Sequence, residues 1–139
     1  MTEKICIVED DGGIQDILKI ILEKAGYLTA IFPGGEAIMT NDYERPDVFL
    51  LDKQLPGIDG LDICKHLKSQ DETREIPVIM ISANPNIAHL ARDAGADDFV
   101  EKPFTSAELL GTIETQIKKV IANKSFDNVF LINSLEDQG

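Results

Sequence analysis

Five short apolar runs recur along the chain, and stretches with a helical spacing of apolar residues separate them. The runs are mostly continuous rather than alternating, which is typical of strands covered on both faces in a parallel sheet. They read KICIV (4 to 8), LTAIF (28 to 32), DVFLL (47 to 51), PVIMI (77 to 81) and DFV (98 to 100). The pattern therefore predicts five buried parallel strands.

Between the runs, apolar residues follow the i, i+3, i+4 spacing of amphipathic helices. The first helical face comprises Ile14, Ile17, Leu18, Ile21 and Leu22, and the last comprises Leu109, Ile113, Ile117, Val120 and Ile121. Thr105 and Glu108 form a capping box at the start of the last helix, which we expect to end near Ala122. This alternation predicts a doubly wound α/β domain, a three-layer sandwich around a five-stranded parallel sheet, over residues 1–122.

The remaining segment, residues 123–139, is too apolar for a simple solvated end and too short for an effector domain. Its apolar residues are Phe126, Val129, Phe130, Leu131 and Ile132. The segment could add an edge strand, pack on a neighbouring copy, form part of a partner site, or fray. We expect it to dock.

The charge balance limits the partners that the chain can bind. Its 13 basic and 25 acidic residues give a net charge of −12, so nucleic acids and anionic membrane surfaces are repelled overall. Cys6 and Cys64 lie within apolar stretches, and no signal-like region or membrane span of roughly 18 apolar residues is present. We expect a soluble, reduced, cytoplasmic protein that binds neither nucleic acid nor membrane.

Acidic residues follow two of the predicted strands. Glu9, Asp10 and Asp11 come after the first run, and Asp52 comes after the third. The carboxyl ends of parallel strands meet at one edge of a sheet, so the acids converge if their strands are neighbours. Two carboxylates ~4 Å apart repel by about 4 kcal/mol at an effective dielectric of 20, which a hard divalent cation would offset. Magnesium would be held by Asp10, Asp52 and a backbone carbonyl near Gln54.

The alternative is that these acids only cap the helices that follow them, a role that we assign to Asp11. Two further strand ends favour a site, because Ser82 follows the fourth run and Lys102, with Pro103 behind it, follows the fifth. Taken singly, Ser82 could be a helix cap and Lys102 a solvated surface lysine. Polar groups at four strand ends together make that reading less favourable.

The segments VEDD, LLDKQLPGIDG, ISA and AGADDFVEKPF occur in this order along the chain. In that combination, the chain resembles the receiver domain of two-component response regulators over residues 3 to about 122. The resemblance implies a flavodoxin-like (βα)5 fold with sheet order 2-1-3-4-5. It also implies a phosphoacceptor switch, not an enzyme with a separate substrate, that is phosphorylated by a sensor histidine kinase or a phosphotransfer protein. Because the sequence has neither a helix-turn-helix pattern nor a linker, we expect a stand-alone response regulator that acts through protein contacts.

The resemblance assigns roles to the acids of the predicted site. Asp52 becomes the phosphoacceptor, and Glu9 and Asp10 become the acidic pair of the metal site. With the backbone carbonyl of Gln54, these groups would bind Mg²⁺, with Mn²⁺ as an alternative ion.

It also assigns a switch. Ser82 is the switch hydroxyl, Phe99 the switch aromatic, and Lys102 the phosphate-binding lysine, with a cis peptide bond to Pro103. The output surface is then the face of the fourth helix, fifth strand and fifth helix, which would bind a downstream protein. Pairing of two copies is left open.

The chain departs from the family pattern in places. Lys53 stands where the family is usually apolar, and Gln54 borders the site. The segment ANPNIAHLARDA, before Gly95, is shorter than is typical, so we expect a short or displaced fourth helix.

Two other classes of protein remain as rivals. A haloacid dehalogenase-type hydrolase also uses an aspartate after a strand, but it requires a second acid two residues later, where Gln54 stands. A flavodoxin-like cofactor carrier requires a phosphate-binding glycine loop after the first strand, where EDD would repel an anion.

Overall fold

The computed structural model describes the backbone of residues 2–137 and the side chains of residues 2–124. Strands and helices alternate along the chain. The strands are β1 (Lys4–Val8), β2 (Leu28–Phe32), β3 (Val48–Asp52), β4 (Val78–Ser82) and β5 (Asp98–Glu101). The helices are α1 (Gly12–Lys24), α2 (Glu36–Met39), α3 (Gly60–Ser69), α4 (Ile87–Asp93) and α5 (Ser106–Asp137).

The five strands form one parallel sheet in the order β2-β1-β3-β4-β5. This confirms the doubly wound fold and the order that the resemblance implied. The predicted third and fourth strands are displaced by one residue, because Asp52 and Ser82 are the last residues of β3 and β4 rather than the residues after them. Both polar side chains therefore extend from strand backbone that the ladder fixes.

A hydrophobic core covers each face of the sheet, so the molecule has three layers. On one face, Leu18 and Leu22 of α1 and Leu109 and Ile113 of α5 pack against the strands. On the other face, α3 supplies Ile63, Cys64 and Leu67. The central strands β3 and β4 are buried along their whole length, which explains their continuous apolar sequences.

Side chains cap the start of three helices, and two of these caps, Asp11 and Thr105, were predicted. The Asp11 side chain accepts a hydrogen bond from the Ile14 amide at 2.9 Å, and the Asp59 side chain accepts one from the Leu61 amide at 2.8 Å. The Thr105 hydroxyl accepts from the Glu108 amide at 3.1 Å. Asp11 thus has the helix-capping role expected of it and lies apart from the metal candidates.

The predicted end of the last helix is wrong. α5 continues to Asp137 instead of ending near Ala122, and it is a single helix of 32 residues. The edge-strand alternative therefore does not describe the backbone of residues 123–137. The predicted docking of that segment concerns side chains outside the described residues and stays a prediction.

The helix α4 has seven residues, which agrees with the expectation of a short fourth helix. Within the described part of the chain, no helix combines the length and apolar character needed to span a bilayer.

Candidate functional site

Strand register brings the predicted acids together. Val8 pairs with Leu51, so the next residues, Glu9 and Asp52, stand level at the carboxyl ends of neighbouring strands. The Glu9 amide donates to the Phe32 carbonyl of β2 at 3.0 Å, which extends the β1–β2 pairing by one residue and fixes the backbone of Glu9. The convergence expected from sequence is therefore a direct result of the β1–β3 ladder.

The three acids form one cluster. One carboxylate oxygen from each of Glu9, Asp10 and Asp52 lies within 4.8 Å of the other two. Glu9 and Asp52 are buried, at 2% and 7% exposure, whereas Asp10 is exposed. An ion bound here would therefore be open to solvent and to a second molecule on the Asp10 side.

Lys102 joins this cluster from the end of β5. Its Nζ lies 3.2 Å from Glu9 Oε1 and 3.2 Å from Asp52 Oδ2. The Lys102 amide donates to the Ser82 carbonyl at 2.9 Å, and the bond between Lys102 and Pro103 is cis, as expected. The structure thus rejects the alternative of a solvated surface lysine.

Burial and neighbouring charges shift the pKa values of Glu9 and Lys102. Burial and the neighbouring Asp52 raise the pKa of Glu9 to about 7, although Lys102 acts in the opposite direction. Burial alone would lower the pKa of Lys102, but Asp52 and Glu9 outweigh it and raise that pKa. The acids and the lysine are therefore a single electrostatic unit.

The donor set fits a hard divalent cation. When ionised, three carboxylates and one ammonium leave an excess of two negative charges, and all the free ligand atoms are oxygens. Mg²⁺ takes oxygen ligands, keeps several waters, and is usually held by one or two carboxylates. The cluster of Glu9, Asp10 and Asp52 can therefore hold Mg²⁺.

The predicted backbone ligand near Gln54 is tied to the site in a way that the sequence did not indicate. The Gln54 amide donates to Asp52 Oδ1 at 3.2 Å. The Asp52 carboxylate is thus held from both sides, by this amide and by the Lys102 ammonium. The role of the Gln54 carbonyl as a ligand stays a prediction.

The two switch residues lie on strands next to the site. Ser82 is buried, and its Oγ accepts a hydrogen bond from the Asn84 amide at 3.1 Å. Phe99 is half-buried on β5 beside a cavity of about 260 Å³ between α4 and β5. The position of Phe99 beside open space permits rotation, but its switching role stays a prediction.

Two features of the site were missed from sequence. Gln15 on α1 donates through Nε2 to the Glu9 carbonyl at 2.5 Å, which ties the acidic strand end to the first helix. Lys53 forms an ion pair with Asp59 across the turn that follows Asp52. The only signal for the second contact was an unexpected lysine beside the acceptor position.

Comparison with known proteins identifies the class that this fold and site define. Residues 5–114 match the model of the response regulator receiver domain, so the chain belongs to that family, the receiver domains of two-component systems.

The chain is also similar to a longer curated protein. It is 34% identical over 122 residues to the phosphate regulon transcriptional regulatory protein PhoB of Rhizobium meliloti, matching 86% of this chain and 54% of PhoB. The chain thus spans about half the length of that curated relative.

Two solved structures are also similar. One is the receiver domain of a signal transduction histidine kinase from Syntrophus aciditrophicus, with a TM-score of 0.78 and 34% identity over 86% of this chain and 92% of that one. The other is the receiver domain of the sensor histidine kinase PA1611 from Pseudomonas aeruginosa, with a magnesium ion coordinated in its active site cleft. It has a TM-score of 0.77 and 28% identity over 85% of this chain and 99% of that one.

Proposed function

We propose that this receiver accepts a phosphoryl group on Asp52 from a phosphohistidine of a sensor histidine kinase or phosphotransfer protein. The observation that carries the proposal is the pair of 3.2 Å contacts from the Lys102 ammonium to Asp52 and Glu9, two acids from different strands. They support a site in which an acceptor carboxylate and a phosphate-binding cation lie next to each other at the end of a rigid sheet.

Glu9, Asp10 and Asp52 would hold the Mg²⁺ that we propose as the cofactor. When bound, Mg²⁺ supplies positive charge to the phosphoryl oxygens. Manganese is an alternative ion because oxygen donors suit both metals. Its binding stays a prediction.

In the transfer, an Asp52 oxygen forms a bond to phosphorus as the bond between phosphorus and the donor imidazole nitrogen breaks. The electron pair of that bond returns to the imidazole. Phosphoryl transfer proceeds through a loose transition state whose negative charge is spread over the phosphoryl oxygens, so alignment and neutralisation are the main requirements. β3 supplies the alignment, and the Lys102 ammonium supplies neutralisation.

The aspartyl phosphate would then recruit the switch residues. Its oxygens attract donors, and the Ser82 hydroxyl stands at the end of the next strand, where it can donate to them. Movement of the loop after Ser82 changes the surroundings of Phe99. The face formed by α4, β5 and α5 is thereby proposed to change shape and to bind a downstream protein that prefers the new shape.

Several finer expectations accompany this function. We regard the chain as a phosphoacceptor switch rather than an enzyme that turns over a separate substrate. Its action without an attached output domain, its cytoplasmic location and the absence of nucleic acid partners stay predictions, as does pairing of two copies.

The test is incubation with a small phosphodonor and Mg²⁺, followed by intact-mass measurement. We expect the mass of one phosphoryl group per chain in the wild type and none in Asp52→Asn or after chelation of the metal. Asp11→Asn is the matched control, because asparagine keeps the cap at α1 while it removes an acid from the same run. That variant should be labelled normally.

Failure of the wild type to take up phosphate would refute the proposal and leave a binding module. Multiple turnovers of a phosphomonoester with no stable label would instead favour the hydrolase alternative.

A further inference from the structure

The segment after Asp52, residues 53–60, is a loop that two contacts close at its base. The Gly60 amide donates to the Lys53 carbonyl at 3.1 Å. Lys53 Nζ lies 2.9 Å from Asp59 Oδ2, and both side chains are only partly exposed. One backbone hydrogen bond and one ion pair thus join the first residue of the loop to its last two residues.

The base of the loop lies directly against the acceptor strand. A Cβ added to Gly60 would lie 2.2 Å from the Asp52 carbonyl oxygen, so only glycine permits this approach. At the tip, Pro56 and Gly57 are exposed, and Gly57 has a φ of +80°. The tip is therefore open to solvent, and the contacts at the base hold the loop against the strand together with Leu55 and Ile58, which pack on the core.

The loop also contacts the acceptor carboxylate. The Gln54 amide donates to Asp52 Oδ1 at 3.2 Å, and Gln54 lies between Lys53 and the tip. Opening of the base would displace Gln54 and release one of the two groups that orient the Asp52 carboxylate. The other group, the Lys102 ammonium, contacts Oδ2.

We propose that Lys53 and Asp59 are a positioning pair, which keeps the loop of residues 53–60 closed and thereby fixes the orientation of the Asp52 carboxylate. The inference rests on the proposed function, because it concerns the metal and phosphoryl site of Asp52. The positioning pair gives a physical reason for Lys53 at a position where the family usually has an apolar residue.

A simple through-space effect of the two charges makes a different prediction. A lysine near a cation site weakens cation binding, and an aspartate strengthens it. Through space alone, Lys53→Met would therefore bind Mg²⁺ more tightly and Asp59→Asn less tightly. Positioning predicts that both substitutions weaken binding.

The experiment is calorimetric titration of Mg²⁺ into the wild type, Lys53→Met, Asp59→Asn and the double variant. Asp59→Asn keeps the cap at α3, since asparagine caps as well as aspartate. We expect each single variant to bind about two- to fivefold more weakly, the range for a partly exposed ion pair, and the double variant to be no weaker than either. Lys53→Arg, which preserves the charge, should restore most of the affinity.

Unchanged or tighter binding by Lys53→Met, or additive losses in the double variant, would overturn the inference. Amide exchange of Gln54 in metal-free protein gives a readout that does not depend on the proposed function. It should be faster in both single variants, and equal rates would also overturn the inference. If the wild type binds no Mg²⁺, the proposed function fails, and the exchange rates alone decide on the positioning pair.

Discussion

A lysine contacts acidic side chains at each of the two edges of the sheet, but the number of carboxylates beside the lysine differs. At the carboxyl edge, Lys102 contacts Glu9 and Asp52, two members of a cluster of three carboxylates that also includes Asp10. At the amino edge, Lys68 faces one carboxylate, that of Asp97, at 2.8 Å. The remaining donors of Lys68 reach two backbone carbonyls, those of Arg74 at 3.0 Å and Ile76 at 2.9 Å.

The difference separates a lysine whose charge is balanced by its protein partners from a lysine beside excess negative charge. The ammonium of Lys68 has three donors and three protein acceptors, with one positive charge opposite one negative charge. The carboxyl edge keeps an excess of negative charge, which only an added cation or protons can balance. Stability should therefore be independent of Mg²⁺ at the amino edge and coupled to it at the carboxyl edge.

The largest effect on stability is expected from Lys68→Met. Methionine retains much of the stem that packs on Gly95, but it removes all three donors and leaves Asp97 without its counter-charge. We expect the free energy of unfolding to fall by about 3 kcal/mol, since hydrogen bonds to charged groups contribute more than neutral ones. Urea denaturation with and without Mg²⁺ measures this loss, which should be the same in both.

The matched control is Lys118→Met, which removes an exposed lysine paired with Glu114 within α5. Exposed pairs contribute little, so no measurable loss is expected. A loss in Lys68→Met that Mg²⁺ reverses would contradict the distinction between the two edges.

The pH dependence of stability should reveal the excess charge at the carboxyl edge. The pKa of Glu9 is raised from 4.5 to about 7, mainly by burial and then by Asp52. A raised pKa means that this group stabilises the folded protein fully below about pH 4.5 and that the contribution is lost as pH rises through 7. Without Mg²⁺, we expect a loss on the order of 2 kcal/mol over this window, relative to Glu9→Gln.

The measurement is denaturation of both proteins between pH 4.5 and 8 in the presence of a chelator. Subtracting the free energy of unfolding of Glu9→Gln from that of the wild type at each pH cancels the contributions of the other titrating groups. Added Mg²⁺ should restore stability to the wild type above pH 7 and have less effect on the variant. A difference that does not change with pH would show that folding does not raise the pKa of Glu9.

Much of the fold and of the carboxyl edge could be predicted from sequence, because hydrophobic periodicity and strand ends depend on the backbone. The apolar runs placed each strand to within one residue, and the acids at the strand ends identified Glu9, Asp10 and Asp52 as a cluster. The end of α5 could not be predicted, since the apolar residues after Ala122 fit a helix as well as a strand.

Contacts between side chains that neither strand ends nor a motif bring together could not be predicted. Lys68 and Asp97 lie 29 residues apart, and the sequence around them has no motif that pairs them. The ion pair of Lys53 and Asp59 likewise depends on the path of the intervening turn. Sequence spacing predicts which helix, strand or loop carries such a residue, but it does not predict which charged groups will be in contact.

The smallest effect is expected at a neutral donor of the amino edge. Gln116 is buried on α5, and its Nε2 donates to Asp98 Oδ2 at 3.1 Å. Gln116→Leu removes this hydrogen bond while water can still reach Asp98, so we expect a loss of about 1 kcal/mol. Gln116→Glu should cost more, because it adds a like charge next to Asp98. Urea denaturation ranks the two variants. Stability of Gln116→Leu equal to that of the wild type would mean that the Asp98 carboxylate, which also accepts from the Phe99 amide at 2.9 Å, does not need Gln116.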